Sequence, residues 1–288
     1  MKKIVWLLMM VVMPMVANAA FSRNVDLKDE DELLHRLDQY IARRDEFSSK
    51  KEKKLIRMKK KLNLTSGKRE RLSLYNQIYR EYYTYRYDSA MVYAKRGLQL
   101  AEQLHDDYYI NLNKINRAAV LSTGGFYSQA EDLLLSLKPE DISPKLMQYY
   151  YYTLTWVYNY WGAFCERSEF KEEMQDKKRL YLAKTLEHMG NKQSALYYYL
   201  SGELEYLLHH TDKKVLGWYQ KALAASPVDS RVHASAAYCI ARYYQDNEQM
   251  DIYEKYLVQA AISDQVCPLK ENLALQELST YLYNKDAK

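Results

Sequence analysis

Residues Ile110–Pro139, INLNKINRAAVLSTGGFYSQAEDLLLSLKP, hold two apolar patterns of helical period on either side of Gly124-Gly125. In the first, Leu112, Ile115, Ala118, Ala119 and Leu121 recur at steps of three and four, which gathers them on one helix face. In the second, Ala130, Leu133, Leu134 and Leu137 do the same, and Pro139 stops the run. Small residues at Ala118 and Ala130 let two antiparallel helices approach closely. A hairpin of this size cannot cover its own apolar face, so repeated copies must stack to bury it. The rest of the chain reads as variations on this unit, and the fold class is therefore all-α: a solenoid of antiparallel helical hairpins.

Working outward, Arg71–His105 is a second hairpin, with Leu72, Tyr75, Ile78, Tyr79 and Tyr82 on one helix side and a small-residue seam of Ala90, Ala94, Gly97 and Ala101 on the next. Asp88-Ser89 are expected to cap that second helix. Downstream, hairpins are expected over 145–189, 194–225 and 230–263, with a break at Gly190-Asn191 and a closing Pro227. A last helix, Cys267–Tyr283, keeps Leu273, Leu275, Leu278, Tyr281 and Leu282 and reads as the opening half of a further hairpin, as if the chain were truncated there. Upstream, 29–62 reads as two helices, the second spanning Lys50–Leu62. The expected division is 1–19 targeting segment, 20–67 amino-terminal hairpin and 68–288 repeat domain.

Only 8 Gly and 5 Pro in 288 residues disfavour an all-β or loop-rich fold. The composition departs from the ordinary in its 30 Tyr against 5 Phe. Tyrosine couples a large apolar ring to a hydroxyl that needs water or a partner, which suits many half-buried helix faces around a thin core. The net charge of +5 includes Lys2 and Lys3, and the remainder is too mild to imply nucleic acid.

Those two lysines open a targeting segment. An apolar run, Ile4–Val16, follows them, and Ala17-Asn18-Ala19 gives a small-x-small cleavage pattern with the junction at Ala19 and Ala20. The run is shorter than the roughly 20 residues needed to span a bilayer. The expectation is an exported, periplasmic protein with no transmembrane helix in its mature chain. Cys165, Cys239 and Cys267 are odd in number and sit among apolar neighbours, where free cysteine acts as a small core residue.

Two stretches invite a functional reading beside a structural one. Lys50, Lys51, Lys53, Lys54, Lys59, Lys60 and Lys61 form a dense basic face, either solvated or able to meet phosphate, peptidoglycan or anionic lipid. Tyr149-Tyr150-Tyr151-Tyr152, followed by Trp156, Tyr158, Tyr160 and Trp161, points aromatic rings all round a helix. That helix is either buried on every side within the stack or offers rings to a peptide or sugar.

No nucleophile elbow, paired-histidine metal helix, C-x-x-C pair or phosphate loop is present. Glu205, His209, His210 and Asp212 are the one group with ligand-type atoms, but adjacent histidines point apart and no third ligand is evident. No catalytic residue, metal or cofactor is assigned.

The turn Gly125-Phe126-Tyr127-Ser128-Gln129-Ala130 resembles the inter-helix turn of tetratricopeptide repeats, and Tyr219, Ala222 and Pro227 fall where that pattern places an aromatic, an alanine and a proline. His35-Arg36-Leu37-Asp38, Lys51-Glu52-Lys53-Lys54-Leu55-Ile56, Tyr87-Asp88-Ser89-Ala90 and Ala260-Ala261-Ile262-Ser263-Asp264, in that order, resemble the amino-terminal repeat half of an exported tetratricopeptide family of regulators and uncharacterised proteins from Bacteroidetes. In that family a transmembrane helix and a signalling segment generally follow, and this chain carries neither.

The resemblance implies a non-catalytic periplasmic sensing or interaction module, binding a protein or peptide in its concave groove. It also implies that first helices line that groove, which nominates Tyr75, Tyr79, Tyr82 and Tyr83, then Ser122 and Thr123, then Tyr238, Arg242 and Gln245. The alternatives are a carbohydrate or cell-wall module using 149–161, or an enzyme.

Overall fold

The Gly124-Gly125 turn forms as its residues require. Gly125 takes φ +85°, open to glycine without a steric cost. Phe126 N–H then bonds the Leu121 carbonyl at 2.9 Å and Gly125 N–H the Ser122 carbonyl at 3.2 Å, the paired bonds that close a helix end. The same closure recurs without glycine at His105 (φ 50°) and Glu248 (φ 59°), where Asp106 N–H reaches Ala101 O at 3.0 Å and Gln249 N–H reaches Tyr244 O at 2.9 Å.

The computed structural model describes residues 30–165, 167–210, 212–267 and 273–286; the targeting segment and its Ala19-Ala20 junction lie outside them. Among the described residues there are thirteen α-helices and no strand. α1 (Glu30–Ala42) and α2 (Arg44–Leu64) precede five hairpins: α3 (Lys68–Tyr83) with α4 (Tyr87–Gln103), α5 (Asp107–Thr123) with α6 (Tyr127–Leu135), α7 (Pro144–Phe164) with α8 (Lys171–Glu187), α9 (Ala195–His209) with α10 (Lys213–Ala224), and α11 (Arg231–Asp246) with α12 (Met250–Val266). α13 (Leu273–Asp286) ends the described chain. None of these helices is long and apolar enough to cross a membrane.

Side-chain caps fix several starts. Asp106, Ser194, Asp212 and Ser230 accept from backbone N–H groups at the heads of α5, α9, α10 and α11. Two local expectations are corrected. α4 begins at Tyr87 with Arg86 at its cap position, so Asp88 lies inside the first turn, where its charge suits the helix dipole without capping. α2 begins at Arg44 rather than Lys50, with Asp45 and Glu46 in its first turn.

The core is divided into neighbouring clusters, as stacking requires. Leu55, Leu62, Leu74, Ile78, Tyr79 and Tyr82 join α2, α3 and α4. Leu112, Ile115, Ala118, Ala130, Leu134, Leu154 and Tyr158 join α5 through α8. Leu182, Leu200, Val215, Tyr219 and Ile240 join α8 through α11. Ala118, Ala130, Ala90, Ala94 and Ala101 are fully buried, and a Cβ added at Gly97 would stand 2.3 Å from Asn113 Oδ1, so the small-residue seams are where backbones meet.

The last cluster breaks neighbour-only order. Leu33 and Leu37 of α1 are buried with Ala237, Tyr253, Leu257, Ala261, Ala274 and Leu278, that is, against α11, α12 and α13. α2 packs on α3 and also touches α12. The amino-terminal pair thus joins the first hairpin to the last, and the stack curls into a closed arc rather than an open rod. The basic face of α2 is partly neutralised across this join: Lys54 lies 2.6 Å and Lys51 3.6 Å from Glu81 of α3, and Lys61 lies 3.5 Å from Glu70. The exposed Lys61–Glu70 pair contributes little to stability.

Candidate binding cavity

Curling the stack gives its inner side a cavity of about 810 Å³. Three walls come from the heart of the chain: Trp156, Asn159 and Tyr160 on α7, Tyr199 and Glu203 on α9, Arg231, Ser235 and Tyr238 on α11. The turn Tyr83–Asp88 from the first hairpin and Asp264, Leu273 and Ala274 from the end of the chain complete it. First and last units therefore share one hollow, which the α1 and α2 join makes possible.

The nine nominated groove residues divide. Tyr83, Thr123 and Tyr238 line the cavity. Tyr75, Tyr79 and Tyr82 are packed in the core instead. Tyr79 donates to the Asn116 carbonyl at 3.1 Å and lies 3.3 Å from the Tyr149 hydroxyl, while Tyr82 stacks on Tyr93 with Lys59 over its ring. The physical reason is that a first helix here is flanked by its own partner and by the next hairpin, so most of its tyrosines face protein. Ser122 is buried with no partner for its hydroxyl among the described residues. Arg242 lies 3.6 Å from Glu277, and neither it nor Gln245 lines the cavity.

The aromatic helix α7 serves both purposes. Tyr150, Tyr151, Leu154, Val157 and Tyr158 are buried toward α6 and α8, and Tyr152 and Trp156 pack toward α9 and α11. Trp156 and Tyr160 also form cavity wall.

Charge on the walls is uneven. Glu203 lies 3.2 Å from Lys178 and accepts from Tyr219 at 2.9 Å. The Cys239 thiol, 3.6 Å from Glu203, is pushed well above its ordinary pKa by burial and then by that carboxylate. An unreactive, neutral thiol follows. Arg86 on the facing turn is held by Glu52 at 2.9 Å. Arg231 stands apart: its polar partner is the Tyr160 hydroxyl, 3.3 Å from Nη2, and no carboxylate of the described residues is within ion-pair distance. Burial works against its charge, while the tyrosine oxygens of Tyr160, Tyr152 and Tyr83 hold its pKa above the ordinary value. Burial likewise lifts the Tyr83 phenol well above its usual range.

Arg231 and Glu203 escaped the reading of the sequence, whereas Tyr160 was named with the aromatic stretch 149–161. One signal was there: a cation in the first turn of a helix that has no acid in that turn, where the dipole disfavours positive charge. His209 and Glu205 lie 3.9 Å apart, and no group of three His, Cys, Asp or Glu side chains able to hold a metal is found among the described residues.

The family model of the SusR N-terminal TPR domain matches residues 41–287. No curated protein matches the chain.

Proposed function

The chain belongs to the SusR N-terminal TPR domain family, and from that premise we propose that it is a non-catalytic sensing module whose inner cavity holds a short protein or peptide segment. Tetratricopeptide domains are helical scaffolds that typically mediate protein interaction. The observation that carries the reading is the cavity itself, built by the first helices of successive hairpins and within the roughly 300–1,000 Å³ of ligand-sized pockets. In this reading the protein is exported to the periplasm and forms the sensing part of a regulator, supported by the Lys2-Lys3, Ile4–Val16 and Ala17-Asn18-Ala19 pattern. Trp156 and Tyr160 in the wall favour a second reading, a sugar ring stacked on α7.

A photo-crosslinking residue at 238, in the cavity, and at 95, an exposed site on the outer helix α4, separates inner from outer binding. Adducts in cells confined to position 238 are expected; labelling equal at the two positions contradicts the assignment. Amino-terminal sequencing of the cell-fractionated protein should begin at Ala20. An intact Met1 in the cytoplasmic fraction would overturn the export claim.

A further inference from the structure

We infer that the cavity binds a carboxylate-bearing ligand, with the carboxylate seated on Arg231 at the head of α11 and the ligand body against Trp156 and Tyr160. The inference rests on the cavity being the binding site and adds the charge of what enters it.

Arg231 on the inner wall lacks the carboxylate that protein chemistry asks for. A guanidinium presents five N–H donors in a planar fork matched to a carboxylate, and Arg231 has a phenol oxygen alone as its polar partner among the described residues. Buried charges are paired in the great majority of native proteins, so a guanidinium with no carboxylate on the wall of a hollow marks what the hollow is built to receive.

The local field has the same sign. α11 is a 16-residue helix with Arg231 as its first residue and no acid in its first turn, so its positive dipole end adds to the guanidinium. Three acids nearby are already engaged, Glu203 by Lys178 and Tyr219, Glu52 by Arg86 and Tyr85, and Asp264 by a partner of its own, while Asp88 on the facing turn makes no ion pair with Arg231. A neutral ligand would leave the Arg231 charge uncompensated, whereas a carboxylate would neutralise it in a fork-to-fork pair. The body of such a ligand is ring-sized or of dipeptide length. A uronic acid and the free carboxyl end of a short peptide both have this chemistry.

The test compares each acid with its neutral counterpart at matched ionic strength: D-glucuronate with D-glucose, and N-acetyl-Ala-Phe with its amide. At least one acid is expected to bind about tenfold tighter than its counterpart, the effect of one partly screened charge pair. The preference should vanish in Arg231→Gln and survive in part in Arg231→Lys, which also serves if the glutamine variant folds poorly. The acid that wins identifies the source. The proposal is overturned if neither acid outbinds its counterpart, or if the preference persists in Arg231→Gln.

Quenching separates this failure from failure of the site. With Trp6, Trp161 and Trp218 changed to Phe, Trp156 alone reports the cavity. Acrylamide should quench it equally in both proteins, and iodide more strongly with Arg231 than with Gln. Acrylamide without an iodide difference removes the charge and leaves the cavity. No quenching by either removes the cavity.

Discussion

Truncating Tyr158 to alanine is expected to lower the unfolding free energy by about 3–5 kcal/mol, and truncating Tyr160, two residues along the same helix, by clearly less, about 1–2 kcal/mol, chiefly for the bond it takes from Arg231. Tyr158 is 1% exposed. Its ring lies parallel to Tyr181 at 5.5 Å, Lys177 sits over its face, and its hydroxyl donates to Glu131. Removing it empties the centre of the cluster between the second and third hairpins, where packed backbones cannot collapse into the void. Tyr160 borders space that is already open, so its loss makes no new enclosed void. Chemical denaturation of the two variants decides whether α7 is divided between core and cavity. Equal losses at both positions would contradict that division.

The second large effect is on acid stability. His233 is 4% exposed on α11, with Nδ1 2.8 Å from Ser263 Oγ of α12. Burial lowers its pKa from 6.5 to about 4. Between those values the unfolded chain binds the proton and the folded chain does not. Stability therefore falls as pH drops through that window, and the loss is complete below the folded pKa. The cumulative penalty is about 3 kcal/mol. His233→Gln removes the titration and keeps a hydrogen-bonding side chain. Its stability relative to the parent should rise by about this amount between pH 7 and pH 4 in urea unfolding. A difference that stays flat with pH would refute a buried neutral histidine.

Local chemistry made much of the fold readable. Gly125 at a left-handed φ, Pro139 after an apolar run, and alanine seams at fixed steps each act within one hairpin, and the helices they delimit are where the patterns put them. His105 and Glu248 carry the same turn with no glycine to announce it. The docking of α1 was invisible for a different reason. Leu33 and Leu37 give an ordinary amphipathic stripe, and nothing local says that its cover lies more than two hundred residues away on α12.

The cavity was less legible for the same cause. The family resemblance put Tyr75, Tyr79, Tyr82 and Tyr83 in one group, but their fates differ: a first helix is covered on two sides, and only Tyr83 stands where the hairpin turns toward the hollow. Arg231 was passed over because one arginine beside a serine cap looks like surface until the neighbouring units are placed. Its significance comes from what surrounds it in space, Tyr160 from α7 and the walls from α9, rather than from its sequence neighbours.

Closure of the stack by α1 is the claim on which the cavity depends, and amide hydrogen exchange across Leu37–Ala42 tests it most directly. A free helix of 13 residues is marginal in water, below or at the about 12–15 residues needed even for favourable sequences. Docked on α12, its amides should exchange slowly and in step with those of Leu257–Ile262. Exchange of α1 at unstructured rates while α12 stays protected would contradict the closed arc.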